Sequence, residues 1–441
     1  MDLNEYIKLN YNDNPLWFVE EVKQFHHQKR ILDVINKKKY LNGKHAIMDR
    51  VVENYNGQPY QPKKILLQYG SLILNLSQTY LLGNRLTITG SEDVAKEMKR
   101  VYKKGQYDNT DFKLLGNVIK FGDAYEYCFV DFKSKAIKSK VIENENAYPV
   151  YDDEGELVSF IEYYVAGEEA NEYFILFSET EVQKYSTIGT GKLHLISKSK
   201  NVGGLPIHYK NDNDDLNPLF GKSDLDDFLG IIDQLEDLLS LTTDVYYKFS
   251  NPLFVVSGQE LQGAGLNKNI VGNAIHLDDD STLELKSVDL NEKAFETIYG
   301  TLKQELLNIS STPAVSLNNS DVSNLSETSM KILFTLADMK GKLNEKYMRN
   351  GLEIRFEKVF ELLNRKGIEF SEDDKDSLDV VFNYSKPQNE TEIIDNIVSL
   401  KGIGAISNET AIEINPYISN TAQELERLNV GKVVEVKEVE E

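Results

Sequence analysis

Residues 221–250 read GKSDLDDFLGIIDQLEDLLSLTTDVYYKFS, a pattern that predicts one long amphipathic helix from residue 223 to residue 250. Ser223 can cap its first turn. One face is apolar, with Leu225, Phe228, Leu229, Ile232, Leu235 and Leu239. The positions expected to be exposed include seven acids and a single base, Lys248: the acids are Asp224, Asp226, Asp227, Asp233, Glu236, Asp237 and Asp244. Taken alone, such a row is typical of a solvated helix face.

The chain after this helix predicts a short insertion followed by more helices. Asn251-Pro252 ends the first helix, and 253–290 predicts a small region of strands and loops. A second helix is expected over 291–309. A polar stretch without lysine or arginine follows, and then the longest helix, over 326–366. At 1.5 Å per residue that helix spans roughly 60 Å, so it needs neighbours along its length.

The chain before residue 222 changes character near residue 118. Helices are expected over 14–40, 64–82 and 91–104. Aromatic and β-branched segments then predict an antiparallel meander, with a hairpin turn at residues 152–155. After the longest helix, a strand near 378–384 and helices near 390–401 and 407–414 complete the prediction. The fold class is therefore α+β.

Composition excludes several classes of protein. The 441 residues suit two or three domains, and 41% hydrophobic residues are enough for real cores. No apolar run approaches the length of a membrane span. The single cysteine, Cys128, permits no internal disulfide and fits a reducing compartment. A net charge of −22 disfavours tight, static binding of nucleic acid. The run Lys37-Lys38-Lys39 is interpreted as a solvated helix face.

No residue pattern supports catalysis, a cofactor site or a metal site. Gly221-Lys222-Ser223 resembles the end of a phosphate-binding loop, but that loop requires glycine where this chain has Leu216. Asp278-Asp279-Asp280 is interpreted as a solvated turn, and Cys128 as a small core residue. Adjacent helical residues diverge by about 100°, so His26 and His27 are not expected to bind one ion. The residues predict a structural protein and no enzyme.

Five segments, taken in order, resemble a known family. They are residues 40–47 (YLNGKHAI), 79–84 (TYLLGN), 121–127 (FGDAYEY), 146–152 (NAYPVYD) and 217–225 (NPLFGKSDL). In this order they resemble the portal proteins of long-tailed bacteriophages of Gram-positive hosts, over about residues 25–425. The segments after residue 430 and within 253–290 diverge from the family pattern.

The resemblance implies a portal fold, assembled as a ring of usually twelve subunits at one vertex of the capsid. Double-stranded DNA would enter, be retained and leave through the axial channel. Residues 1–222 would form the wing, helical at first and β-rich from about 118. Residues 223–250 and 291–309 would be the two stem helices, on either side of the clip at 251–290. The tunnel loop at 310–325, a long wing helix with a return strand at 326–385, and a crown with the C-terminal tail at 386–441 would follow.

The resemblance also implies functional residues. The stem residues expected to line the channel are Asp226, Asp233, Asp237 and Asp244. The tunnel-loop residues expected near DNA are Ser316, Asn318, Asn319, Ser320, Ser323 and Asn324. The clip residues expected to dock the motor are Gln259, Gln262, Asn267, Lys268 and Asn269.

The implied partners are other copies of the chain, the terminase large subunit, head-completion or adaptor proteins, the major capsid and scaffolding proteins, and DNA. No cofactor and no membrane partner are implied. The implied location is the virion, after assembly in the host cytoplasm. Two alternatives remain open from sequence, namely a head–tail adaptor ring and a structural protein of prophage origin.

Overall fold

The computed structural model describes most of the chain, and the gaps fall mainly in the segments that follow residues 212, 249 and 313. The described residues are 1–55, 58–212, 219–249, 253–257, 281–286, 292–313, 327–386, 390–415, 417–418, 424–425 and 427–428. Every predicted clip and tunnel-loop residue named above lies outside the described residues.

Helices and strands occur largely in separate runs along the chain, as is typical of an α+β fold. The helices are α1 (Leu3–Tyr11), α2 (Trp17–Glu21), α3 (Phe25–Leu41), α4 (Tyr69–Leu82), α5 (Glu92–Gly105), α6 (Tyr107–Phe121), α7 (Leu229–Phe249), α8 (Glu292–Ile309), α9 (Glu327–Asn364), α10 (Glu372–Asp376), α11 (Glu390–Gly402) and α12 (Asn408–Glu413). The long helix α9 confirms the helix predicted over 326–366.

The strands form small antiparallel sheets. They are β1 (Glu53–Tyr55), β2 (Gln58–Tyr60), β3 (Thr87–Thr89), β4 (Asp123–Val130), β5 (Ile137–Ile142), β6 (Ala147–Tyr151), β7 (Leu157–Ala166), β8 (Asn171–Phe177), β9 (Glu181–Ser186), β10 (His194–Lys200), β11 (Ile207–Lys210), β12 (Leu253–Ser257), β13 (Thr282–Lys286) and β14 (Asp379–Val381).

The predicted meander is confirmed as a five-stranded sheet in the order β10-β9-β8-β7-β6. Its first hairpin turns at Gly155, which has a φ of +83° that suits glycine. Strand β4 lies between β11 and β5 in a separate three-stranded sheet. Strand β14, close to the predicted return strand, pairs with β3 near the start of the chain, with Val380 opposite Ile88.

The N-terminal helices differ from the prediction in two places. The helix expected over 14–40 is broken between α2 and α3, where the side-chain amide of Gln28 donates to the carbonyl of Val22 at 2.6 Å. The apolar spacing continues across this break, so periodicity alone did not reveal it. Helix α6 was not predicted, although it lies between the third predicted helix and the first strand.

The described residues divide into two units, Met1–Leu317 with Leu336–Tyr384, and Asn318–Thr335 with Ser385–Glu441. In the first unit, α4, α5, α6, the β4 sheet and α9 share one core, with Leu81, Leu114, Val118 and Leu352 fully buried. A second core joins α1 to α3 with the five-stranded sheet, where the ring of Phe18 lies 5.2 Å from that of Phe174. In the second unit, α11 and α12 bury Ile397, Ala411 and Ile412.

Candidate functional site

The acidic helix α7 and the turn that precedes it form the candidate site. Ser223 accepts a hydrogen bond from the backbone N–H of Leu225 at 3.2 Å, so its predicted capping role is confirmed. It caps a short 3₁₀ turn at Asp224–Asp227, and α7 itself begins at Leu229. The predicted apolar face is buried at Leu225, Phe228, Ile232 and Leu235, and it packs into the core of the first unit.

Three of the acids expected to be exposed are instead buried, so the prediction of a uniformly solvated row is wrong. Asp224 accepts from Lys340 of α9 at 2.7 Å and from Asn211 at 2.9 Å. Glu236 accepts from the backbone N–H of Leu67 at 2.7 Å. Because a buried carboxylate needs hydrogen bonds and a countercharge, these acids attach the helix to the rest of the unit.

Asp244 is held by the segment between α3 and α4. It accepts hydrogen bonds from the hydroxyl of Tyr60 and the backbone N–H of Lys63, each at 2.7 Å, and it pairs with Arg50 at 2.9 Å. Burial works to raise the pKa of Asp244, but these partners outweigh it and leave the pKa below its usual value.

His45 fixes the middle of α7 in a similar way. Its Nδ1 lies 2.7 Å from Glu236, and its Nε2 lies 2.9 Å from the backbone carbonyl of Tyr40. The imidazole also stacks on the Tyr40 ring at 3.6 Å. Burial raises the pKa of Glu236. The hydrogen bond from the Leu67 N–H and the contact with His45 act in the opposite direction but do not cancel this rise. Both ring nitrogens of this buried histidine therefore serve to join α7 to α3.

The four acids predicted to line a channel have different surroundings. Asp226 pairs with Lys37 at 3.0 Å, and Asp233 accepts from the Tyr40 hydroxyl at 3.1 Å. Asp244 is buried as described. Asp237 is exposed, and no hydrogen bond or ion pair reaches it within the described part of the chain. That these four residues line a channel stays a prediction. Of the four, Asp237 is the one whose carboxylate has no partner among the described residues.

Sequence reasoning missed the basic and aromatic partners of these acids. Lys37 was expected on a solvated face, but it is only 7% exposed and also pairs with Asp33 of its own helix. Lys38 pairs with Glu145 at 2.5 Å, and Lys39 is the exposed member of the run. Residues 1–104 hold 17 basic and 11 acidic side chains, and this local surplus of bases in an acidic chain was the available signal.

Gly221-Lys222-Ser223 forms a structural junction. The backbone N–H of Gly221 donates to the Asp123 carboxylate at 2.8 Å, and the Ser223 hydroxyl donates to the carbonyl of Lys120 at 2.6 Å. Lys222 pairs with Asp227 at 2.5 Å. These atoms are already occupied by protein partners, which agrees with rejecting a phosphate-binding loop here.

Among the described residues, two clusters of histidine and carboxylate side chains are close enough to share an ion, and one corrects the sequence analysis. One potential ligand atom each of Glu21, His26 and His27 lies within 4.8 Å of the others, and the two imidazoles are 4.1 Å apart. The expectation that these histidines diverge is therefore wrong. Glu21 accepts hydrogen bonds from the hydroxyls of Tyr11 at 2.5 Å and Tyr6 at 3.0 Å, which accounts for its burial.

The second cluster, His45 with Asp233 and Glu236, is part of the α7 contacts described above. In both clusters, hydrogen bonds within the protein explain the positions of the carboxylates. No residue is assigned to a metal.

After α7, the chain forms two strands and then helix α8, which is the predicted order of helix, insertion and helix. Strands β12 and β13 pair with Leu253 opposite Lys286 and Ser257 opposite Thr282, so the ends of α7 and α8 are joined through a two-stranded ribbon. Helix α8 buries Leu306 and Leu307, and the Tyr299 hydroxyl lies 3.5 Å from that of Tyr69. The residues between β12 and β13 lie outside the described residues.

Comparisons with known proteins identify the family of this chain. The family model described as "Phage portal protein, SPP1 Gp6-like" matches residues 20–432. The chain belongs to this portal protein family. The resemblance noted from five short segments is therefore confirmed. The protein is a structural, non-enzymatic component of the phage virion, a head–tail connector.

Individual relatives are distant in sequence. The portal protein of Bacillus phage SPP1 is 22% identical over 383 residues, which cover 81% of this chain and 74% of that protein. Solved structures of the neck of gene transfer agent particles are also similar. A chain of the empty particle has a TM-score of 0.49 at 10% identity, covering 77% of this portal protein and 87% of that chain. A chain of the native particle has a TM-score of 0.47 at 11% identity, covering 79% and 89%.

Within the described part of this portal protein, no helix combines the length and the apolar character needed to cross a membrane.

Proposed function

We propose that this portal protein forms a closed ring of twelve subunits at one vertex of the capsid, and that double-stranded DNA is packaged, retained and ejected through its channel. The observation that carries the proposal is the family match over residues 20–432. The order of α7, a strand ribbon, α8 and the long α9 supports it, because it reproduces the stem, clip, stem and wing-helix order of a portal.

In this proposal the segments take the roles expected from the resemblance. The wing spans 1–222 and the stem helices span 223–250 and 291–309. The clip at 251–290 docks the terminase large subunit and later the head-completion proteins, through Gln259, Gln262, Asn267, Lys268 and Asn269. The tunnel loop at 310–325 approaches DNA. The long helix and return strand span 326–385, and the crown and tail span 386–441. Capsid and scaffolding proteins contact the ring during assembly in the host cytoplasm.

The ring is tested by the native mass of the purified chain. Twelve copies of 50.3 kDa give 12 × 50.3, about 604 kDa. We expect a species near this mass by native mass spectrometry, with a central hole in negative-stain images of the same fraction. A uniform 50-kDa species that persists at high concentration and in the presence of scaffolding protein would contradict the proposal.

The acids of α7 suit a channel that guides DNA without holding it. A cation fixed on the path would bind phosphate and slow translocation, whereas a carboxylate repels it. Lys37 offsets the charge of Asp226, Arg50 offsets that of Asp244, and the Tyr40 hydroxyl holds Asp233 against α3. We therefore assign the largest share of the repulsion to Asp237, which is exposed and has no partner among the described residues.

Asp237→Lys should lower packaging, because twelve new ammonium groups would face the phosphates in the ring. We expect the amount of DNA packaged per particle, and the phage yield, to fall by roughly tenfold. The measurement is the DNA content of purified particles from cells that supply the variant. Asp153→Lys is the matched control, since it changes the charge equally at an exposed hairpin position of the wing. Unchanged packaging with Asp237→Lys, or an equal fall with both variants, would contradict a role in the channel.

A further inference from the structure

A cavity of about 900 Å³ lies in the first unit between α4, α6 and β5. Five lysines line it, and we call it the lysine pocket: Lys104, Lys113, Lys120, Lys138 and Lys140. The lining includes a single acid, Glu143, which pairs with Lys38 at 3.1 Å. The pocket is thus strongly basic on a chain whose net charge is −22. Its volume lies within the range of small-molecule sites, roughly 300–1,000 Å³.

Among the described residues, two of these five lysines are paired with a carboxylate, and the other three are not. Lys138 pairs with Asp131 at 3.5 Å and Lys140 pairs with Glu162 at 2.6 Å. Within the described part of the chain, no carboxylate lies within ion-pair distance of Lys104, Lys113 or Lys120. Lys120 is also half-buried, and this burial lowers its pKa. A bound anion would supply the missing charge and restore the usual pKa.

Neutral donors lie beside the free lysines. Lys113, Asn117 and Lys120 follow one another on a single face of α6, at the spacing of successive helical turns. Asn75 of α4 contributes a second amide, and none of the described residues accepts a hydrogen bond from either amide. The first turn of α6 also opens here, and the preceding Gln106 provides no side-chain cap. Asp108 lies in this first turn and offsets the positive end of the helix, so the basic character of the pocket comes from the lysines.

We propose that the lysine pocket binds a phosphate-bearing anion. Ammonium groups and side-chain amides are donors that bind phosphate oxygens in proteins. An acidic polypeptide is a poorer fit, because such partners are held by buried apolar anchors. The lysine pocket offers only Phe112 and Val141 as larger apolar surfaces. The phosphates can belong to a free polyphosphate or to a nucleic-acid strand.

The test is isothermal titration of the purified, assembled protein at low salt with tripolyphosphate. We expect saturable binding with one site per chain. The variant Lys113→Gln/Lys120→Gln should weaken this binding by at least roughly tenfold, because it removes two charged donors. The control variant Lys8→Gln/Lys192→Gln removes the same charge at exposed positions outside the pocket and should bind normally. Thermal unfolding of both variants establishes that they remain folded.

Two further ligands separate the possible sources. Binding of a short DNA duplex that tripolyphosphate displaces, and that requires Lys113 and Lys120, would assign the phosphates to nucleic acid. Binding of tripolyphosphate without binding of DNA would assign them to a free anion. A poly-glutamate peptide is the third ligand. The proposal is overturned if tripolyphosphate shows no saturable binding, if both double variants lose it equally, or if poly-glutamate binds as tightly with the same dependence on the two lysines.

Discussion

Arg355→Met should destabilise the first unit by about 3–5 kcal/mol, the cost of breaking a buried ion pair. Arg355 lies in the C-terminal half of α9 and is completely buried. Its Nε donates to Glu126 at 2.9 Å, and one terminal nitrogen donates to Asp111 and, at 3.2 Å, to the Tyr102 hydroxyl. The Tyr209 hydroxyl donates to the same oxygen of Glu126 at 2.6 Å. One guanidinium thus joins α9 to α5, α6 and β4.

The size of this effect follows from what the substitution leaves behind. Burial already raises the pKa of Asp111 to about 6, although Arg355 acts in the opposite direction. Without Arg355, Asp111 and Glu126 would share the core with no countercharge, so at least one must take up a proton or the helix must move. The measurement is urea-induced unfolding of the purified chain, followed by the fluorescence of the single tryptophan, Trp17.

Arg349→Met is the control, because it removes the same side chain one and a half turns earlier on α9. Arg349 pairs with Glu345 at 2.9 Å and Asp379 at 2.6 Å, but its side chain is 32% exposed. An exposed pair contributes about 1 kcal/mol or less, so this variant should unfold almost normally. If the two variants lose equal stability, the ion pairs of Arg355 with Asp111 and Glu126 are not what holds α9 against the rest of the first unit.

The acids of α7 show what the sequence could and could not predict. The period of the apolar residues identified α7 and its buried face, because that period depends only on local helical geometry. The burial of Asp244 depends on Arg50, Tyr60 and Lys63, which lie more than 180 residues earlier in the chain. Local pattern contains no information about such partners, so the same acids were predicted to be solvated. The free carboxylate of Asp237 could be distinguished only after its neighbours had been placed.

Helix α6 was missed for a related reason. More than half of its residues are buried, including Leu114, Leu115, Val118 and Ile119, so the polar face that carries Lys113, Asn117 and Lys120 is narrow and the amphipathic pattern is weak. The missed helix also hid the lysine pocket, since Lys113 and Lys120 share a face only when the segment is helical. By contrast, short motifs in a fixed order predicted the family correctly, although the whole chain is only 22% identical to its SPP1 relative.

Gly221→Ala should destabilise the protein by about 3 kcal/mol or more, because two backbones touch at this position. A Cβ on Gly221 would lie 2.1 Å from the carbonyl oxygen of Gly122, far inside van der Waals contact. The approach is mutual, since a Cβ on Gly122 would lie 2.3 Å from the carbonyl oxygen of Gly221. Gly122 also has a φ of +89°, which disfavours any side chain. These contacts are between backbone atoms, so no rotamer change can relieve them.

Gly230→Ala provides the comparison within α7, because no atom would lie within 4 Å of its Cβ and the position is exposed. Alanine there should raise stability by up to about 1 kcal/mol through its higher helix propensity. Urea unfolding of both variants tests the junction directly. A nucleotide loop would place Gly221 against a ligand, so that the unliganded protein would tolerate alanine. A large loss at Gly221 with a gain at Gly230 therefore assigns Gly221 to the backbone contact with Gly122, which lies between α6 and β4. If both variants changed stability only slightly, the backbone contact at Gly221 would not explain the Gly221-Lys222-Ser223 motif.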